Sequence, residues 1–377
     1  MQVPSILEVK ELRGKRVLVR AGLNVPIKDG TVTNQFRIDA ALQTLRHLHH
    51  EGARTLIVGH IGREPEETLK PVFEVLRGTL PISFVEDIFG DEAGRAIELM
   101  KDGDCILFEN IRRYPEEKAN DEEFARKLAA LADLYVNDAF SASHRVHASI
   151  VGVPKFLPHC AGIHCADEVR ELSKGLRPES PSLFVLGGAK FETKQPILKM
   201  SLETYDNVYV GGALAHDLLR ARGVEIGRSL ASDNPQGIEA IKDHPKLTLP
   251  IDAIVETGEG KKAIRTLDEL TPDDRILDIG PMSTRAVCEL AKESQSILWN
   301  GPLGYYEGGY GASTETLAEV IASRTNVTSI VGGGDTVAAI GALGLEKEFT
   351  FLSTGGGAML DFLADGSLVG IEALKRA

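Results

Sequence analysis

Ten short apolar runs punctuate the chain, and each ends in a loop of polar or glycine residues. In the first half VLVR, LIVG, CILF and LYVN lead into AGLN, HIGR, ENIRR and DAFSASHR. In the second half LFVL, VYV, RILDI, ILW, SIV and FLS lead into GGAK, GGALA, GP, NGPLG, GGGDT and TGGG. Helix-like segments lie between the runs, and this alternation predicts a largely parallel sheet. After LFENIRR, Asn120 is the predicted cap of a helix with Glu123 three residues on, and Phe124, Leu128, Leu131 and Leu134 recur at helical spacing. LYVND is the next strand. Val153 to Pro158 is broken by proline, and Cys160 to Leu176 reads as a helix ahead of the turn RPESPS. That helix is the candidate connector between two domains. No low-complexity tract or tight repeat intervenes.

Loops that follow strands are where open α/β sheets bind ligands, so the change of loop chemistry points to two sites on two sheets. One suits a compact anion, the other a phosphate chain among backbone amides. A length of 377 residues with 43% hydrophobic content agrees with two domains. The formal charge of −13 and pI near 5.3 argue against a nucleic-acid or anionic-membrane surface. Four cysteines without a C-x-x-C pair, and a start (MQVPSILEVKELRGK) without an apolar h-region, fit a reduced cytoplasmic chain. No stretch approaches a membrane span.

On the anion side, Arg20, Asn24, His60, Arg63, Arg112, His144 and Arg145 fall at or just after strand ends, while Arg37 opens a helix. A guanidinium fork matches phosphate and carboxylate, and several together suit a multiply charged small molecule. Any one of them alone would be read as a surface ion pair. His144 and His147 lack a carboxylate at a ligating offset, and His159, Cys160, His164 and Cys165 match no zinc spacing; hydrogen-bonded packing and buried thiols explain them. His47, His49 and His50 read as a solvated helix face.

On the glycine side, Gly332–Gly334 before DTVAAI and Gly355–Gly357 before AMLDFLAD bring N–H groups to a helix start, where a phosphate binds well. A single such run is equally a tight turn. Lys190 and Lys194 add charge four residues apart after Gly187 and Gly188, and Asp335 supplies a hard oxygen of the kind Mg²⁺ needs. There is no G-x-x-x-x-G-K-[ST] and no protein-kinase signature. G-E-G-K-K-A at Gly258, Gly260 and Ala263 resembles a dinucleotide fingerprint, but a strand-like IRTL follows where a helix is required.

Taken in order, RAGLNVP, GHIGR, ENIRR, NDAFSASHRVHAS, LGGAK with Lys194, DIGP, WNGPLG with Glu307, VGGGDT and STGGGA resemble the phosphoglycerate kinase family from end to end. The resemblance implies an α/β fold of two Rossmann-like three-layer domains with parallel sheets, joined by an interdomain helix in a bilobal hinge enzyme. The implied layout is a triose-phosphate-binding domain at 1–160, the helix at 161–176, a nucleotide-binding domain at 177–367 and a tail at 368–377 returning to the first domain. The implied reaction is Mg²⁺-dependent phosphoryl transfer between 1,3-bisphosphoglycerate and ADP, giving 3-phosphoglycerate and ATP, by a cytoplasmic monomer. By resemblance Asn24, Arg37, His60, Arg63, Arg112 and Arg145 bind the triose. Gly188, Lys190, Lys194, Gly211, Asn300, Pro302, Glu307, Gly333, Gly334, Asp335 and Thr336 bind the nucleotide, and the backbone of Gly355 and Gly356 contacts phosphate. Arg37, Lys190 and Gly334 are the catalytic set, and Asp335 holds the metal.

The chain also departs from the family. Where members read R-x-D-x-N, it has Arg20-Ala21-Gly22-Leu23-Asn24, so an aspartate that accepts a substrate hydroxyl is missing. Met282 replaces a lysine after D-I-G-P, Glu64 intrudes after Arg63, Tyr305-Tyr306 stands for a Val-Phe pair, and Ser229 to Lys262 is shortened. Gly22 leaves a second expectation open, a catalytically weakened homologue that binds nucleotide or a partner. An NAD-linked dehydrogenase rests on G-E-G-K-K-A alone.

Overall fold

In the computed structural model, which describes residues 1–189, 191–233 and 235–375, the first apolar run forms the strand Arg16–Ala21, buried at every position after the first. A strand without a solvated face must be covered on both sides, which is why the run is unbroken rather than alternating. It pairs in parallel with Arg54–Val58 and with Leu134–Asp138. The full parallel sheet runs in the order 82–85, 105–108, 54–58, 16–21, 134–138, 159–161. Parallel neighbours require crossovers, and the helix Phe36–His50 is one of them. Its Ile38, Ala41, Leu42, Leu45 and Leu48 recur every three or four residues and are buried in the same core as Val17, Val19 and Ile57. Truncating one of these leucines to alanine would cost about 2–5 kcal/mol. The helix ends where Gly52 takes φ +75° and the Ala53 N–H donates to the Leu48 carbonyl at 2.9 Å.

This sheet belongs to a unit comprising Met1–Arg170 and the segment from Ser367 onward; Glu171–Gly366 forms the second unit. The second parallel sheet runs 247–248, 207–210, 182–186, 296–300, 328–332, 351–352. Counted along the chain within that sheet, the order is 3-2-1-4-5-6, that of dinucleotide-binding folds. RILDI is not part of it. Arg275–Ile279 instead pairs antiparallel with Asp252–Glu256, which also pairs antiparallel with Lys262–Thr266. The G-E-G-K-K segment is the turn of that hairpin, closed by Thr257 N–H to Lys261 O at 2.8 Å with Gly260 at φ +74°, so no dinucleotide fingerprint exists there.

Several local expectations change for physical reasons. Asn120 does not cap the helix Glu122–Ala130; it is left-handed at φ 52° and ends the preceding turn Pro115–Ala119, while the Asp121 carboxylate accepts the Phe124 N–H at 2.8 Å. The helix ends at Ala130, so Leu131 follows it and Leu134 opens the strand. His159–Ala161 is an edge strand beside Tyr135–Asn137, and the next helix starts at Ile163 and ends at Gly175. His144 and His147 lie outside any regular helix. Of the three histidines at 47–50 only His50 is exposed; His49 Nδ1 bonds the Gly103 carbonyl at 2.8 Å.

The helix Val369–Ala373 lies against Ala148–Gly152, and the Gly370 N–H donates to the Ser143 carbonyl at 2.8 Å. Residues 376 and 377 of the expected tail fall outside the described residues. All four cysteines are buried and unpaired. No helix among the described residues is long and apolar enough to cross a membrane.

Candidate functional site

In the first unit the chain reverses direction across the sheet at strand Arg16–Ala21, which has Arg54–Val58 on one side and Leu134–Asp138 on the other. Crevices at such points, beyond the carboxyl ends of strands, are where this architecture takes ligands. Arg20 is 1% exposed there, with Nε bonding Ser149 Oγ at 2.9 Å and a terminal nitrogen on His60 Nδ1 at 2.8 Å. A guanidinium can only donate, so His60 Nδ1 accepts and a neutral ring carries its proton on Nε2. Burial, then the charges of Arg20, Arg112 and Arg145, hold His60 well below its ordinary pKa. The same surroundings push His147 down to about 4. Burial and the neighbouring Arg145 and Arg20 push Arg112 down to about 10.

Three guanidiniums are therefore crowded around a neutral imidazole. The nearest buried carboxylate, Glu117, is already engaged by the Ser149 N–H at 2.8 Å and Oγ at 2.6 Å. Surplus buried positive charge of this kind is relieved by an anion. Asn24 accepts the Gly62 N–H at 2.9 Å through Oδ1, and its carbonyl accepts from Arg37 at 2.7 Å. Arg112 donates to the Gly62 carbonyl. Thus Asn24, Arg37, His60 and Arg112 are joined around the 60–62 loop, and Arg145 enters through its field. Arg63 follows on the same loop with an exposed side chain, its N–H held by Glu67 at 2.5 Å. Glu64 shares that carboxylate through its own N–H at 2.8 Å. At Gly22, an added Cβ would lie 3.5 Å from the Asp138 carbonyl and 3.8 Å from Ser141 Oγ, ordinary contacts in an ordinary backbone conformation.

Sequence reasoning passed over Glu117, Ser149 and the pair Glu109–Asn110. Asn110 Nδ2 donates to the Ile61 carbonyl at 3.0 Å and the Glu67 carbonyl at 2.9 Å. Glu109 accepts from Thr68 and the Leu69 N–H. These residues fix the loop that carries His60 and Arg63. Only their place inside ENIRR hinted at them.

In the second unit the corresponding switch point lies between Ser182–Leu186 and Ser296–Asn300. The two loops beyond it are stitched by backbone alone, Gly187 N–H to Asn300 O at 2.9 Å and Gly188 N–H to Pro302 O at 2.8 Å. A Cβ on Gly187 would fall 2.1 Å from the Pro302 carbonyl oxygen, so only glycine permits this approach. Gly211 N–H donates to Leu186 O at 2.9 Å as the next helix, Gly212–Ala221, begins.

A cavity of about 430 Å³ opens beside these loops. Gly188, Pro302, Glu307 and Asp335 line it among the expected nucleotide residues. Leu219, Leu230, Pro250, Ile276 and Leu277 give it apolar lining, with Asp252, Arg275 and Asp278 also on its wall. Lys194 Nζ donates to the Gly187 carbonyl behind the loop, and burial pushes its pKa down to about 8 against the opposing charge of Asp335. Gly333, at φ +96°, precedes the helix Gly334–Ala342, so Gly334, Asp335 and Thr336 occupy its first turn. The first N–H groups of a helix have no intrahelical partner and attract anions. Thr336 Oγ1 is buried and has no partner among the described residues. Asn300 is buried, its Nδ2 3.8 Å from Met359 Sδ on the helix Gly357–Asp365. Gly355 and Gly356 precede that helix and do not line the cavity. Lys190 lies outside the described residues. Among the described residues no group of three or more His, Cys, Asp or Glu could hold a metal. A divalent ion at Asp335 would therefore draw most of its ligands from phosphate and water, as an ion that arrives with a nucleotide does.

Known proteins share this chain's sequence pattern and fold. The sequence profile described as phosphoglycerate kinase matches residues 7–366. The phosphoglycerate kinase of Dictyoglomus turgidum is 41% identical over 394 residues, covering 100% of both chains. The structure of phosphoglycerate kinase from Coxiella burnetii is 34% identical with a TM-score of 0.84, covering 99% of this chain and 98% of that one. That from Pyrococcus horikoshii is 30% identical with a TM-score of 0.85, covering 97% and 96%.

Proposed function

Because this chain belongs to the phosphoglycerate kinase family, phosphotransferases with ATP and ADP as co-substrate, we propose that each unit holds one reactant at the switch point of its own sheet. The observation that carries this is the pairing of an anion-hungry Arg20–His60–Arg112–Arg145 cluster in one unit with glycine loops around an apolar cavity in the other. In this reading Asn24, Arg37, His60, Arg63, Arg112 and Arg145 bind 3-phosphoglycerate or 1,3-bisphosphoglycerate. Gly188, Lys190, Lys194, Gly211, Asn300, Pro302, Glu307 and Gly333–Thr336 bind MgADP or MgATP, with the backbone of Gly355 and Gly356 toward phosphate. Asp335 supplies its carboxylate to the Mg²⁺ that the nucleotide carries.

The acceptor carboxylate is already ionised at neutral pH, so no general base is needed. Transfer rests on alignment and neutralisation of the equatorial oxygens. Arg37 and Lys190 supply the positive charge, and the amide of Gly334 adds a donor. His60, held neutral, donates through Nε2 without adding charge. In-line transfer requires the two reactants to meet, and we assign the gate to domain closure, with water excluded as it completes. The segments 1–160, 161–176, 177–367 and 368–377 take the roles of triose domain, connector, nucleotide domain and returning tail. We further assign a cytoplasmic monomer acting on small molecules.

A coupled assay of ATP consumption with 3-phosphoglycerate and Mg²⁺ tests the reading. The wild type turns over, and Gly22→Asp, for which the Cβ has room, restores a hydroxyl acceptor and lowers KM for 3-phosphoglycerate by up to roughly tenfold with kcat held. An unchanged KM would remove the triose from the loop that carries Gly22.

A further inference from the structure

The helix Gly212–Ala221 presents one face to the cavity, since Gly212, Ala215, His216 and Leu219 all line it at the spacing of a single helical stripe. Gly212 sits at the glycine corner, and His216 lies one turn further along, about 6 Å away by helical rise. Leu230 lies against it, and the cavity lining also includes the apolar Leu219 and Pro250 and the charged Asp252, Arg275 and Asp278.

His216 is 5% exposed, and its Nδ1 lies 2.8 Å from the Leu230 carbonyl. A carbonyl can only accept, so Nδ1 carries the proton and a neutral ring presents a bare lone pair at Nε2. No protein group bonds that atom among the described residues, and it is not sealed from solvent. The loop that carries the Leu230 carbonyl is held in turn by Asp217, which accepts the Ser232 N–H at 2.7 Å and Oγ at 3.0 Å. Burial pushes the imidazole pKa down to about 4, which keeps it an acceptor at neutral pH. The two buried carboxylates on the cavity wall are already engaged. Asp252 accepts from Ser283 and the Met282 N–H, and Asp278 accepts from Ser313 and the Ile279 N–H.

We propose that His216 selects the base of the nucleotide, its Nε2 accepting a hydrogen bond from the 6-amino group of adenine. This rests on the cavity being the nucleotide site. An unused acceptor set beside apolar side chains favours a ring that brings an N–H donor, and a 6-oxo purine sets two lone pairs against each other. The signal was present in the sequence as a histidine four residues after the second glycine of GGALAH.

Calorimetric titration of the full chain with ADP and with IDP, both with Mg²⁺, tests the assignment. The wild type is expected to bind ADP at least several-fold more tightly than IDP. His216→Asn keeps a side-chain N–H for the Leu230 carbonyl but has nothing at the Nε2 position, so the ADP-to-IDP ratio should fall roughly three- to tenfold while ADP still binds. His216→Gln, which reaches further with an acceptor oxygen, should recover part of it. An equal ratio in wild type and His216→Asn, with ADP bound by both, overturns the assignment alone. Failure of the wild type to bind either nucleotide overturns the nucleotide reading of the cavity and the assignment with it.

Discussion

Lys194 is a cation stored in an unfavourable place. Its ammonium is pushed down to about 8 by burial, against an ordinary value of 10.5. The depressed pKa means the unfolded chain binds this proton more tightly, so stability is lost as pH falls from about 10.5 toward 8 and stays lost below. A nucleotide phosphate near Nζ would reverse the shift. At pH 8 the free protein holds this proton about half the time, and ADP binding should draw in up to ~0.5 proton. Titration in buffers of differing ionisation enthalpy reads that uptake directly, and Lys194→Met should abolish it. Equal uptake in the variant would place the phosphates elsewhere. His60 shows the opposite use of burial: being neutral beside Arg20, it would add a donor to the proposed anion site without adding to the repulsion among guanidiniums.

The tail helix Val369–Ala373 shows how a short element acts through one contact. Five residues cannot hold a helix alone. Its anchor is Gly370, whose absent side chain lets it approach the loop before His144 and Arg145. A Cβ there would lie 2.7 Å from Ile150 and 3.0 Å from Ser143. Gly370→Val should therefore loosen the Ser143–Arg145 loop, lowering thermal stability by roughly 1–3 kcal/mol and raising KM for 3-phosphoglycerate while leaving ADP affinity unchanged. Unchanged kinetics for the triose would show the loop needs no such support. Strand-level reading of the sequence found the central strands of the parallel sheets, because a run buried on both faces leaves an unbroken apolar signature, and it passed over Ile82–Val85, His159–Ala161 and Leu247–Thr248, which are short or only partly buried. It failed at RILDI, whose run is equally apolar although its partners are antiparallel, since burial pattern does not report strand direction. It failed by one residue at Asn120 and Asp121, both good cap formers, and only backbone geometry decides between them. Glu117 and Ser149 were invisible because a buried carboxylate in a charged stretch looks like any surface glutamate.

At the scale of the molecule, the proposed function gives each unit its own ligand through separate chemistry, so binding should be separable too. Hydrogen exchange with ADP alone should slow at 187–188, 211–214 and 300–307 and leave 20–24 and 60–63 unchanged, with the converse for 3-phosphoglycerate alone. Protection of both sets by either ligand would contradict independent half-sites. The second unit is one continuous stretch, Glu171–Gly366, whereas the first needs the segment beyond Ser367 to complete it. A ribosome delivers residues in order, so the lobe whose strands emerge earliest must wait, with the ground beneath Ser143 and Ile150 uncovered, until the other lobe has been spun out behind it. Maturation of the proposed anion pocket is thereby timed by a stretch translated after the whole second unit, and a chain truncated after Gly366 would carry a complete second unit and an incomplete first.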